Sequence, residues 1–360
     1  MRSSLETDTL TDPRIAELDP IGLDGLLPTV RSMNSADDLN GLVGLLRDVL
    51  PLIPGTFYPH ECLAVMRDLG LLMGSIKRHG VEPVVAVPEL GHVLLGLGTR
   101  TGMVPRNTLL HYTVWNPSGP RQRLYTGDYM ERMLIAAVCV TVFRLAEAAE
   151  VCKVLINAGP DEVEFAVAVN ELVALLRCLE DSMDIVMANV TPEFFAVTAR
   201  PYYEAIDVGG RTYLGPAAAH VPLYLIDLAV WASDHCDEDR KRFLLEWAHY
   251  GIQPWHSLSR QWASGTSLLT RVEAAWKSAG GDASPSLRGS VEALWRLLRG
   301  LVLFRGKHFT VTRAAYDVDL RLYDVGSGGG DLGLLSYFSA ETKEITGLLR
   351  RSLTGVPVRT

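Results

Sequence analysis

His308 shares a helical face with Leu297, Leu301 and Phe304, which precede it at steps of three and four residues. A histidine on an apolar face is ordinarily a hydrogen-bonded core residue. Two neighbours add a ligand role to that reading. Arg305, one turn earlier, is placed to neutralise an anionic cofactor edge beside a ligating imidazole. The run Gly326, Ser327, Gly328, Gly329, Gly330 follows, and a loop so poor in side chains can drape over a ligand. One histidine on a helix, with an open position opposite, is how proteins hold haem for oxygen chemistry. Asp227, the single acid in an apolar run, could hold Arg305 in place, or the two could occupy unrelated surfaces.

Other chemistries find less support. The glycine run follows no strand, lacks GxGxxG spacing and is not followed by Lys-Ser/Thr, so a nucleotide-binding reading fails. There is no GxSxG elbow and no HExxH pair, and His249 with His256 is a weak metal signal. The five cysteines are scattered without a CxxC pair, which suits reduced core residues better than disulfides or zinc.

At 360 residues and 48% hydrophobic, with a mean hydropathy of +0.14, the chain can bury a large core. A net charge of −8 without a long basic run argues against nucleic acid as a partner. The polar, acidic N-terminus lacks a signal-peptide core, and no apolar run reaches membrane-spanning length. The expectation is a cytoplasmic protein with no membrane contact.

The elements around His308 read as helices almost throughout. Residues 1–35, broken by Pro13, Pro20 and Pro28, read as a loosely ordered arm. Helical patterns then cover 36–50, with Ser35 as N-cap, and 61–79, with Gly80 as stop. Others cover 88–97, 128–157, 160–189, 218–233, 237–250, 254–279 and 332–353. Val208-Gly209-Gly210-Arg211 is the one hairpin signal. The expected organisation is the arm 1–35, a small helical part 36–127 contributing to the distal pocket, and a large helical domain 128–360 holding the cofactor.

Several ordered stretches carry a family likeness. HYTVWNP (111–117), RLYTG (123–127), VGGRTYLGPAAAHVPLYLIDLAVW (208–231), FRGKHFTVTRAAY (304–316) and VGSGGG (325–330), with SIKRHGVEP (75–83), resemble the monodechloroaminopyrrolnitrin synthase family. That family stands with indoleamine and tryptophan 2,3-dioxygenases in a haem-dependent superfamily. The resemblance runs from about residue 40 and implies a mainly α, indoleamine dioxygenase-like bundle around haem b.

The resemblance also implies roles. His308 matches the proximal iron ligand, Arg305 the arginine near the haem propionates, and Asp227 its acidic partner. Gly326 and Gly328 belong to the loop over the cofactor. Ser327 and Tyr316 match residues contacting the amino-acid end of the substrate, and with His111 they are the candidate catalytic residues. Leu110 and His111 fall where the dioxygenases line the distal pocket. Phe195 and Arg200 match the phenylalanine and arginine of the substrate site. The implied partners are tryptophan or 7-chlorotryptophan, dioxygen or peroxide, and an electron donor. The implied reaction is oxidative ring rearrangement with decarboxylation to an aminophenylpyrrole. One departure, Pro216 in place of a dioxygenase serine, argues against plain 2,3-dioxygenation of tryptophan, the second reading. A third is a haem or small-molecule binding protein without turnover.

Overall fold

The computed structural model describes residues 7–53, 58–216, 221–316 and 332–354. The longer elements are α1 (Leu27–Ser35), α2 (Leu39–Val49), α3 (Pro59–Lys77) and α4 (Glu89–Thr101), then a single turn, α5 (Leu109–Tyr112). Next come α6 (Tyr129–Asn157), α7 (Val163–Leu175), α8 (Arg177–Asn189), β1 (Ile206–Val208), β2 (Arg211–Tyr213) and α9 (Val221–Asp227). The chain closes with α10 (Glu238–Ala248), α11 (Gln253–Ala263), α12 (Leu268–Ala279), α13 (Pro285–Ala315) and α14 (Leu332–Thr354). The fold is mainly α, as expected.

Two apolar clusters organise these helices. One is built on α3 and takes in Ile21, Leu42, Leu72, Leu94 and Tyr203. The other gathers α6, α7, α9, α12, α13 and α14. The spine of the second is α13. Ser284 caps it by accepting from the Leu287 amide at 3.1 Å, with Pro285 in the first turn. Its buried stripe runs through Leu287, Val291, Leu294, Leu298 and Leu301, and its next member is Arg305. The alternation of four and three that makes the helix amphipathic therefore delivers a guanidinium into the core. His308 lies at the edge of that stripe, half-buried.

The hairpin forms at the expected place. Gly209 and Gly210 both take positive φ, 60° and 78°, so the chain reverses between Val208 and Arg211, which pair in register. Several boundaries differ from expectation. Ser35 ends α1, while Asp38 caps α2 by accepting from the Gly41 amide at 2.9 Å. The segment 160–189 is two helices with a tightened turn at Leu176, and 254–279 divides at Gly265, with Ser267 capping the second half.

The larger correction concerns the N-terminus. From Thr7 to Ser35 the chain is short helices, not a loose arm. Pro13 and Pro28 stand in the first turns of two of them, where a missing N–H costs nothing. Leu10 and Ile15 are buried in one cluster, Ile21, Leu23, Leu27 and Val30 in the other.

Candidate functional site

Arg305 is the most tightly held side chain of the His308 turn. It donates to both carboxylate oxygens of Asp227, at 2.7 and 2.6 Å, and to the hydroxyl of Thr342. Its guanidinium also lies over Trp231 at 5.3 Å and Phe338 at 5.8 Å. Asp227 accepts in addition from the Trp231 indole at 2.8 Å. A buried ion pair repays its desolvation only when such further bonds satisfy both partners, and here they do. One cation thus ties together α9, the wide turn Leu228–Ala232, α13 and α14. One residue before Arg305, the buried Phe304 ring stacks on His308, with centroids 5.7 Å apart and planes 15° apart. The Phe304 stack orients the imidazole from one face.

This turn fits a haem-type metal. Among the described residues no group of three His, Cys, Asp or Glu side chains could hold a metal ion by itself. A histidine imidazole is a donor that haem iron takes. Arg305 is committed to Asp227, so it buttresses the His308 turn from behind. Tyr316 caps the end of α13 two turns beyond His308 and is half-buried. Ser327, Gly326 and Gly328 lie outside the described residues.

A second cluster forms on α5. His111 is 1% exposed, and its Nδ1 faces the Thr108 amide at 3.0 Å and the Thr108 hydroxyl at 3.1 Å. An amide can only donate, so Nδ1 is the acceptor and Nε2 carries the proton. That N–H has no hydrogen-bond partner among the described residues. Burial, then the charge of Arg67, pulls the imidazole pKa down to about 3. At neutral pH His111 is therefore neutral, with Nδ1 engaged by Thr108 and its Nε2–H as a donor. Trp115 meets its ring edge-on at 4.8 Å, and Leu110 is buried beside it in the α13 cluster.

The N-terminal segment roofs this cluster. The Trp115 indole donates to the Thr9 carbonyl at 3.0 Å. Arg67 donates to the carbonyls of Ile15, Leu18 and Trp115 and to Asp68. Arg123 donates to the same Asp68 oxygen at 2.7 Å and reaches Asp24 and Asp19 on the segment. Two buried arginines sharing one buried carboxylate, with the Trp115 indole, thus strap residues 9–24 to α3 and to the chain that follows α5. Sequence reasoning missed this clamp, although Arg67-Asp68 inside an apolar helix was its signal. It also missed Glu131, whose carboxylate accepts from Tyr112 and from the amides of Tyr125, Thr126 and Gly127, fixing the chain after α5.

Phe195 and Arg200 sit on a third element, the wide turn Phe194–Ala199 and the tight turn after it. Arg200 is buried and ion-paired with Glu204, and Phe195 packs on the α3 cluster. The structure thus joins Arg305 to Asp227 directly, groups Leu110 with His111, and carries Phe195 and Arg200 separately.

Compared with known proteins, residues 58–284 match the family model described as monodechloroaminopyrrolnitrin synthase PrnB. The match spans more than half of the chain. It includes Leu110, His111, Phe195, Arg200 and Asp227, and it ends before His308.

Proposed function

The chain belongs to the monodechloroaminopyrrolnitrin synthase PrnB family, and from that premise we propose that it is a haem b-dependent oxidoreductase acting on tryptophan or 7-chlorotryptophan. Membership supports an enzyme of the pyrrolnitrin-synthase, oxygenase-like class. The proposed reaction is the family's: oxidative rearrangement of the indole ring with decarboxylation to an aminophenylpyrrole. Dioxygen or a peroxide is the oxidant, with an electron donor where the haem must be reduced.

The observation that carries the reading is the Arg305–Asp227 pair, which fixes the turn bearing His308. His308 would hold the haem iron, and haem when bound would supply the redox chemistry. The chain's own share is orientation and desolvation. Phe304 and Arg305 hold the His308 turn. His111 offers a neutral N–H in a dry environment, suited to an acceptor atom of the substrate or oxidant. Leu110 supplies apolar wall beside it. Tyr316 and Ser327 would hold the amino-acid end of the substrate, with Phe195 on the ring and Arg200 on the carboxylate. Gly326 and Gly328 would let the loop close over the cofactor.

The experiment is haem titration of the purified chain and of His308→Ala, followed by product mass analysis with both substrates. The reading expects a histidine-type Soret band in the wild type, lost in His308→Ala, and a product lacking CO₂. A Soret band unchanged in the variant would sink the ligand assignment. Retention of CO₂ with two added oxygen atoms would transfer the protein to 2,3-dioxygenation.

A further inference from the structure

Away from the His308 turn, α4, the loop after it, β2 and α11 surround a cleft of about 390 Å³. Its walls include Leu95, Arg100, Met103, Tyr213, Gln253 and His256. That volume falls within the range of small-molecule sites. Nothing in the reaction above uses it.

The cleft has a one-sided charge. None of the described residues lining it is acidic. Arg211 lies over the Tyr213 ring, 5.4 Å from its centroid. Arg260 and His249 both act on His256 from beside it. Behind the wall stands Arg106, 1% exposed, whose bonds go to the carbonyls of Asn107, Glu204 and Tyr213 and to the Asn107 side-chain oxygen. Its direct bonds are all to neutral oxygens, and the Glu82 and Glu204 carboxylates offset its charge from a distance. All this occurs in a chain of net charge −8, so the cleft is a local reversal of the molecule's field. Its lining is mixed, with apolar surface from Leu95, Met103, Pro105 and the Tyr213 ring beside the polar Thr99, Arg100, Gln253 and His256. Arg100 is steadied by its hydrogen bond to the Cys62 thiol. His256 donates its Nε2 proton to the Gly251 carbonyl at 3.0 Å, which leaves Nδ1 as an acceptor.

We propose that this cleft binds a small organic acid, with a flat apolar body against Met103 and Tyr213 and its carboxylate on Arg100. A guanidinium fork matches a carboxylate in two parallel bonds. The surrounding cations disfavour an ammonium, so the ligand is a simple acid and not an amino acid. The site is thereby chemically distinct from one for tryptophan, and it stands whether or not the haem reading holds.

The test is calorimetric titration of the full chain with indole-3-acetate, tryptamine and inorganic phosphate. Arg100→Gln removes the charge, and Leu95→Trp, at a half-exposed position, obstructs the cleft without touching the core. Saturable binding of indole-3-acetate is expected, weakened at least tenfold in both variants, with no binding of tryptamine. Phosphate should bind at least tenfold more weakly than indole-3-acetate. Absence of saturable binding, binding unchanged in either variant, or tryptamine binding as well as the acid would each overturn the proposal. So would phosphate binding as tightly, because it would show that the apolar wall contributes nothing.

Discussion

Arg305 and Asp227 stand 78 residues apart in sequence, yet the guanidinium reaches both carboxylate oxygens within 2.7 Å, in the interior of the molecule. The pair is the covalently unconnected hinge-pin between α13 and the wide turn that follows α9.

Replacing Arg305 by Met should therefore destabilise the fold by about 3–5 kcal/mol, because Asp227 is left as an uncompensated buried charge. The double replacement Arg305→Met with Asp227→Leu should recover much of that loss. Urea unfolding of the two single variants and the double variant measures both values. Equal losses in the single and double variants would remove the ion pair from the account.

His111 should make the protein acid-sensitive in a defined window. Its folded pKa is about 3, whereas the unfolded imidazole titrates near 6.5. Below about 6.5 the unfolded chain takes up a proton that the folded chain refuses, so stability falls as pH drops from 6.5 towards 3. His256, held down to about 4 mainly by burial, acts in the same direction. Unfolding free energies at pH 7 and pH 4.5 should differ less in His111→Gln than in the wild type. Nitrogen NMR should report the Nε2–H tautomer of His111 throughout the neutral range.

Glu131→Gln should cost about 3 kcal/mol. The amide would turn a donor towards the amides of Tyr125, Thr126 and Gly127, leaving buried groups unsatisfied. Thermal unfolding reads the loss. Tyr112 fluorescence and its hydrogen exchange should change with it, since its hydroxyl donates to the same carboxylate.

The strap gives a prediction that discriminates between decoration and function. Asp19→Asn with Asp24→Asn removes the segment's charged contacts to Arg123 while leaving Asp68 in place. Hydrogen exchange should rise in residues 9–24 and, with it, in α5. Weaker tryptophan binding should accompany the change if α5 lines the substrate pocket. Faster exchange of the strap with α5 unaffected would make the two independent.

What could be read in the sequence was whatever is local. The Gly209-Gly210 reversal, the stripe of α13 and the helical class all follow from turn chemistry and periodicity within a few residues. From the residues alone the pairing of Asp227 with Arg305 is two charges in apolar surroundings, with unrelated surfaces as the rival reading, and the family resemblance is what implies the pair. The strap was misread for the opposite reason. Pro13 and Pro28 look like breaks, and they are helix starts because burial of Leu10, Ile15 and Leu27 pulls weak local helices into the core. Its anchors, Arg67 and Arg123, lie too far along the chain for any window to connect.

The wide turn Leu228–Ala232 has a consequence for how this structure can vary. A π-turn amounts to one residue more than an α-helix would need. Deleting one residue between Asp227 and Ser233 would therefore restore regular winding with the flanks close to their present phase, and Asp227 would still face Arg305. Deleting a second, or inserting one, would rotate Asp227 by about 100° relative to everything after it and take the carboxylate off Arg305. The stretch has slack of one residue in one direction only, and the His308 turn inherits that arithmetic.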